Sequence, residues 1–125
     1  MTMTKKPVIA LQRAYDDPTP HDGYRVLVDR FWPRGRSKDV LALDAWVREL
    51  APSADLIRWY GHMPERWDEF RKRYLAELAT PQARAQLHAL LDAAGRKRIT
   101  LVYGARSATG NQAIVLREAL EHTTG

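Results

Sequence analysis

Asp29, Arg30, Arg34 and Arg36 crowd into one short stretch, and His62 stands in a turn between Tyr60-Gly61 and Pro64. Guanidinium groups in such a cluster are suited to hold a phosphate or carboxylate through paired N–H donors. A carboxylate or an imidazole beside them has the chemistry to move a proton, so Asp29 and His62 are the candidate general acid–base residues. From Arg25 to Lys38 there are five basic side chains and only Asp29 to oppose them, yet the same run contains Phe31, Trp32 and Pro33. An ordinary solvated loop has no use for those three, which points to a site where a negative group is held. Arg34 and Arg36 flank a glycine and have little packing to do, so both read as ligand contacts. Plainer readings stand beside these. Asp29 and Arg30 could form an internal ion pair, Trp32 could plug the core, and the His62 ring could fix its own turn by bonding a carbonyl.

A second loop, Gly104 to Gly110 (GARSATG), follows the run ITLVY. In open α/β sheets the binding crevice lies beyond the C-terminal ends of the strands. If the strands before the two loops are parallel neighbours, Asp29, Arg30, Arg34 and Arg36 face Tyr103, Arg106, Ser107, Thr109 and Asn111 across one crevice, with Trp32 a further candidate ligand contact. Amides opening the last helix would add partial positive charge there. Asn111 serves equally as the cap of that helix or as a ligand contact.

Several chemistries are excluded or lose support. The absence of cysteine removes disulfides, thiolate nucleophiles and cysteine-bound metals. The four histidines are scattered without paired ligand spacing, so no metal site is expected. Neither a phosphate-binding nucleotide loop, nor a dinucleotide fingerprint, nor a G-x-S-x-G elbow is present, and no cofactor is implied. A net charge of +5 and a pI near 9.8 favour anionic partners, either a small molecule or a nucleic acid. No apolar run approaches a membrane span and no secretory leader is evident, so a cytoplasmic protein without a membrane partner is expected. A homodimer is compatible with the aromatic residues but has no signature of its own.

The elements that must position these residues follow from periodicity. Val8 to Tyr15, Tyr24 to Phe31 and Ile99 to Tyr103 read as strands, the direction of the first being open. Leu43, Trp46, Val47 and Leu50 have helical spacing, which predicts a short amphipathic helix over Leu43 to Leu50. Ser53 and Gly61 bracket a helix from Ala54 to Tyr60, Pro64 opens a longer one from Glu65 to Ala79, Thr80-Pro81 starts another that stops at Gly95, and Asn111 begins the last. The expected fold is a single α/β domain over residues 1–125, with residues 1–7 a flexible N-terminus. Its small, mostly parallel sheet of about three strands is flanked by helices in three layers.

The segments DGYRVLVDRFWPRG, LDAWVRELAPS, LIRWYGHMPERWDEFRKRYLAEL and ITLVYGARSATGNQAIVLREAL together resemble the YeaO-like branch of domain-of-unknown-function family 488, from Val8 to Leu120. The resemblance implies a small cytoplasmic α/β domain with no known cofactor, and it assigns no activity. Two departures from the pattern stand out. Relatives commonly carry Asp or Asn where this chain has Met63, which cannot cap the following helix through its side chain. The loop before Asn111 is acidic in many relatives and is here Arg106-Ser107-Ala108-Thr109-Gly110, more positive and more flexible. The expected function is a basic pocket for a phosphate- or carboxylate-bearing small molecule, with hydrolytic or transfer chemistry open. The alternative is a nucleic-acid-binding or regulatory protein using the basic surface.

Overall fold

The computed structural model describes residues 8–123; the N-terminal segment 1–7 lies outside the described residues. Four strands, β1 (Ile9–Arg13), β2 (Tyr24–Leu27), β3 (Ala45–Trp46) and β4 (Ile99–Tyr103), form one sheet in the order β1-β4-β2-β3. Every pairing is parallel, which settles the direction of β1. β4 is buried along its whole length, as a central parallel strand covered on both faces must be.

Side-chain alternation divides the apolar residues between the two faces. Val26 and Val28 join Ile99, Leu101 and Tyr103 in the main core, while Leu27 and Val102 point the other way. Four helices cover the first face: α2 (Ala54–Tyr60), α3 (Trp67–Leu78), α4 (Pro81–Ala94) and α5 (Gln112–Glu121). They contribute Leu56, Tyr60, Phe70, Tyr74, Leu87, Leu90, Leu116 and Leu120, and each such leucine, fully buried, stabilises the fold by about 1.5–3 kcal/mol. The second face is thinner. Leu41 of α1 (Lys38–Leu41), Ala14, Leu27 and Val102 form its buried cluster, with Trp32 and Leu43 packed against it.

A buried arginine clasps that second face. Arg25 donates from Nε to the Leu41 carbonyl at 3.0 Å and from Nη1 to Asp22 at 2.6 Å and to Gln12, joining β1, β2, the turn before β2 and α1. Burial alone would push the Asp22 carboxyl up. Two donors from Thr19, together with Arg25, outweigh it and hold the carboxyl below its ordinary range. Gly23 completes the turn at φ +70°, where an added Cβ would lie 2.2 Å from the Arg98 carbonyl oxygen.

The helices begin where their caps stand. Ser37, Ser53, Thr80 and Asn111 each accept an N–H from the first turn of the helix that follows. Met63 makes no such bond, and the segment from Pro64 to Arg66 is a 3-10 turn leading into α3.

The sheet has four strands rather than about three, and the extra one comes from Leu43 to Leu50, the segment expected to be helical. Asp44 N–H donates to the Arg25 carbonyl at 2.8 Å, Asp44 Oδ2 accepts the Arg25 N–H at 2.8 Å, and Val47 N–H reaches the Leu27 carbonyl at 3.0 Å. These bonds satisfy the open side of β2, and only a 3-10 turn, Arg48–Leu50, remains of the helix. The helical spacing did not mark one face. Leu43 packs on the second cluster, Val47 and Leu50 on the main core, and Trp46 is exposed. β2 also ends at Leu27 instead of running to Phe31, which is 67% exposed. No helix among the described residues is long and apolar enough to cross a membrane.

Candidate functional site

β2 and β4 end side by side, so the chain leaving each emerges at the same edge of the sheet. Val28 keeps one more bond to β4, its N–H donating to the Val102 carbonyl at 3.0 Å, and the chain then turns at Asp29. Asp29 Oδ2 accepts the N–H of Gly104, the first residue after β4, at 2.8 Å. Oδ1 accepts the side-chain amide of Gln112, the first residue of α5. The carbonyl of Asp29 takes the Trp46 indole N–H at 2.7 Å. One residue thus ties β2, β3, β4 and α5 together. Gly104 permits this approach, because a Cβ there would sit 2.8 Å from Asp29 Oδ2.

Burial pushes the Asp29 carboxyl up to about 6, although the bonds from Gly104 and Gln112 pull the other way. No ion pair forms between Asp29 and Arg30. Arg30 instead donates from Nε to the Pro52 carbonyl at 3.1 Å. That bond pins the guanidinium and leaves both terminal nitrogens without a hydrogen-bond partner among the described residues.

A cavity of about 340 Å³ opens here, lined by Asp29, Arg30, Phe31, Trp32, Pro33 and Arg34 from the loop after β2, with Gly104, Ala105 and Gln112 opposite. Tyr15, Pro52, Ile57 and His62 complete its wall. The structure therefore brings together five of the residues singled out in the sequence: Asp29, Arg30, Trp32, Arg34 and His62. Arg34 is exposed and its side chain has no partner among the described residues, while its carbonyl accepts the Tyr15 hydroxyl at 2.9 Å. His62 is exposed at φ +57°, a left-handed conformation that costs a residue with a Cβ, and its ring centroid lies 5.9 Å from that of Tyr60. Trp32 is half-buried, donates its indole N–H to the Arg36 carbonyl at 2.5 Å and meets Trp46 edge-on at 5.5 Å.

The remaining candidates do not line the cavity. Arg36 donates from Nε to the Ala14 carbonyl at 2.9 Å and lies over the Tyr15 ring. Tyr103 is buried in the main core. Asn111 is buried; its Oδ1 accepts the Ile114 N–H at 3.3 Å, and its Nδ2 donates to the Ser107 carbonyl at 2.8 Å. Ser107 Oγ accepts the backbone N–H groups of Thr109 and Gly110, shaping the loop from within. Arg106 is exposed beside it.

Gln112 and Tyr15 escaped the sequence reading. The signal for Gln112 was its place directly after the cap of a helix that opens at the strand ends, where a side chain is aimed at the crevice. Tyr15 had only its position two residues past β1. A smaller cavity of about 240 Å³ between β3 and α4 has Glu49 as its only charged lining residue and includes none of the candidates. Among the described residues no group of three or more potential metal ligands occurs.

The family model described as the inactive DUF488-N3 subclade matches residues 8–125. An uncharacterised protein of Mycobacterium tuberculosis, Rv3073c, is 42% identical over 118 residues, covering 94% of this chain and 98% of its own. The uncharacterised protein YeaO of Escherichia coli is 42% identical over 112 residues, covering 90% of this chain and 96% of its own. No solved structure was found to match. The paired strand ends and the DRFWPRG loop thus sit in a chain that belongs to domain-of-unknown-function family 488, within its inactive N3 subclade.

Proposed function

We propose that the cavity beyond β2 and β4 binds a small molecule bearing a phosphate or carboxylate, and that the protein works by binding it. The observation that carries this reading is Arg30, fixed through Nε with its terminal nitrogens unengaged, in the same cavity as the exposed Arg34. A guanidinium held in place loses less freedom when it grips an oxyanion, which favours bidentate contact. Pro33, Pro52 and Ile57 supply an apolar wall, and about 340 Å³ is at the small end of ligand sites. The description of the subclade as inactive favours binding over turnover.

Thermal unfolding in inorganic phosphate and a panel of carboxylates tests it. A ligand at ten times its Kd adds about 1.4 kcal/mol, which is a rise of roughly 3–6 °C in a domain of this size. The rise is expected to vanish in Arg34→Ala. No rise with any anion, or the same rise in Arg34→Ala, rejects the site.

Proton transfer by Asp29 or His62 is the second reading, favoured by the acidity of a carboxyl that burial has moved toward neutrality. It requires turnover that is lost in Asp29→Asn or in His62→Ala, and turnover absent from wild type or kept by both variants rejects it.

A further inference from the structure

The buried Asp22 and the half-buried Asp29 are treated differently. Asp22 has its own cation, Arg25, at 2.6 Å. Asp29 forms no ion pair among the described residues and is held only by neutral donors, the Gly104 N–H and the Gln112 amide. An ionised carboxylate accepts about four hydrogen bonds, so two positions on Asp29 have no partner among the described residues, and Asp29 lines the same cavity as Arg30 and Arg34. The cavity therefore presents an acidic pole at Asp29 and a basic pole at Arg30 and Arg34, with Pro33, Pro52 and Ile57 also in its wall.

A ligand that is only anionic would leave Asp29 without a cation and set two negative groups in one small space. A ligand with a cationic donor at its other end satisfies both poles. We infer that the occupant is a small zwitterion, an amino-acid-like molecule whose ammonium or amidinium group sits on Asp29 while its carboxylate or phosphate is held by Arg30 and Arg34. The inference rests on the anion-binding reading above and adds the second pole. The same charge layout disfavours a polyanion, which would carry like charge onto Asp29.

The test is calorimetric titration with the common α-amino acids and short ω-amino acids, each beside its N-acetylated counterpart, which keeps the anion and loses the cation. Zwitterions are expected to bind at least about tenfold more tightly than their acetylated forms. Asp29→Asn should abolish that preference while binding of the acetylated forms persists, and Arg34→Ala should weaken both. Acetylated forms that bind wild type as well as the zwitterions do, with Arg34→Ala still defective, overturn the zwitterion and leave the anion site standing. A preference that survives in Asp29→Asn overturns the role of Asp29, and no binding by any member of the series overturns both readings.

Discussion

The half-buried Asp29 carboxyl is held by neutral donors, and that setting gives its contribution to stability a definite sign. An aspartate in the unfolded chain titrates near 3.8, and in the folded protein burial moves Asp29 to about 6. Between those values the native state binds the proton more tightly, so stability falls as pH rises through about 4 to 6, and the penalty is complete above that range. The shift corresponds to a penalty of order 3 kcal/mol at neutral pH. Asp29→Asn removes the charge and keeps the geometry, because the Gln112 amide can turn over and accept from the new side-chain amide. Urea unfolding is expected to show the variant more stable than wild type at pH 7–8, with the difference closing toward pH 4, where wild type is neutral too. A constant difference across that range, or a variant that is less stable at pH 8, rejects a charged and destabilising Asp29.

At the scale of elements, the turn between α2 and α3 concentrates the strain of the site. Gly61 ends α2 in a left-handed conformation with its N–H on the Ile57 carbonyl at 3.1 Å, and His62 repeats that hand with a full side chain. A residue with a Cβ pays about 1–2 kcal/mol there, whereas glycine costs roughly 0.5–1 kcal/mol in the entropy of the unfolded chain. His62→Gly is therefore expected to equal or exceed wild type by up to about 1 kcal/mol in chemical denaturation, and His62→Ala, which keeps the Cβ, to gain nothing. If His62→Gly loses more than about 1 kcal/mol, the contact of the imidazole with Tyr60 outweighs the strain, and the residue is structural. This turn was readable from Gly61 and Pro64, as were α2, α4 and the start of α5 from Ser53, Thr80-Pro81 and Asn111, because caps and prolines act locally. β3 was not readable. Ala45 and Trp46 are extended because β2 needed a partner on its open side, a demand that arises 19 residues away and overrides helical spacing. The pairing of Asp29 with Gly104 was anticipated only as two loops facing one crevice. The bond itself depends on which strands are neighbours, which no local pattern encodes.

The charge of the whole molecule takes on a different meaning once the arginines are placed. Arg13, Arg25, Arg30, Arg36 and Arg66 each donate to a backbone carbonyl, of Ala105, Leu41, Pro52, Ala14 and Trp59 respectively. Arg58, Arg71 and Arg73 pair with Asp55, Glu118 and Glu69. These eight of the twenty basic side chains thus tie loops to elements or answer acidic neighbours, a use of the planar, multi-donor guanidinium that composition alone cannot distinguish from a binding surface. A nucleic-acid surface needs several cations free to neutralise phosphates, and each one steepens the salt dependence by about 0.9 in the log–log slope for duplex DNA. With a net charge of only +5 and part of the arginines engaged in this way, weak association with duplex DNA is expected, with a slope shallower than about −2. A slope steeper than about −5, flattened by Arg34→Ala and by Arg106→Ala, would instead make the loops after β2 and β4 a phosphate-tracking surface. The small-molecule reading requires the opposite pattern: Arg34→Ala removes the response to small anions, and the weak, salt-sensitive DNA association is nearly unchanged, because a single cation carries little of a diffuse attraction and much of a pocket.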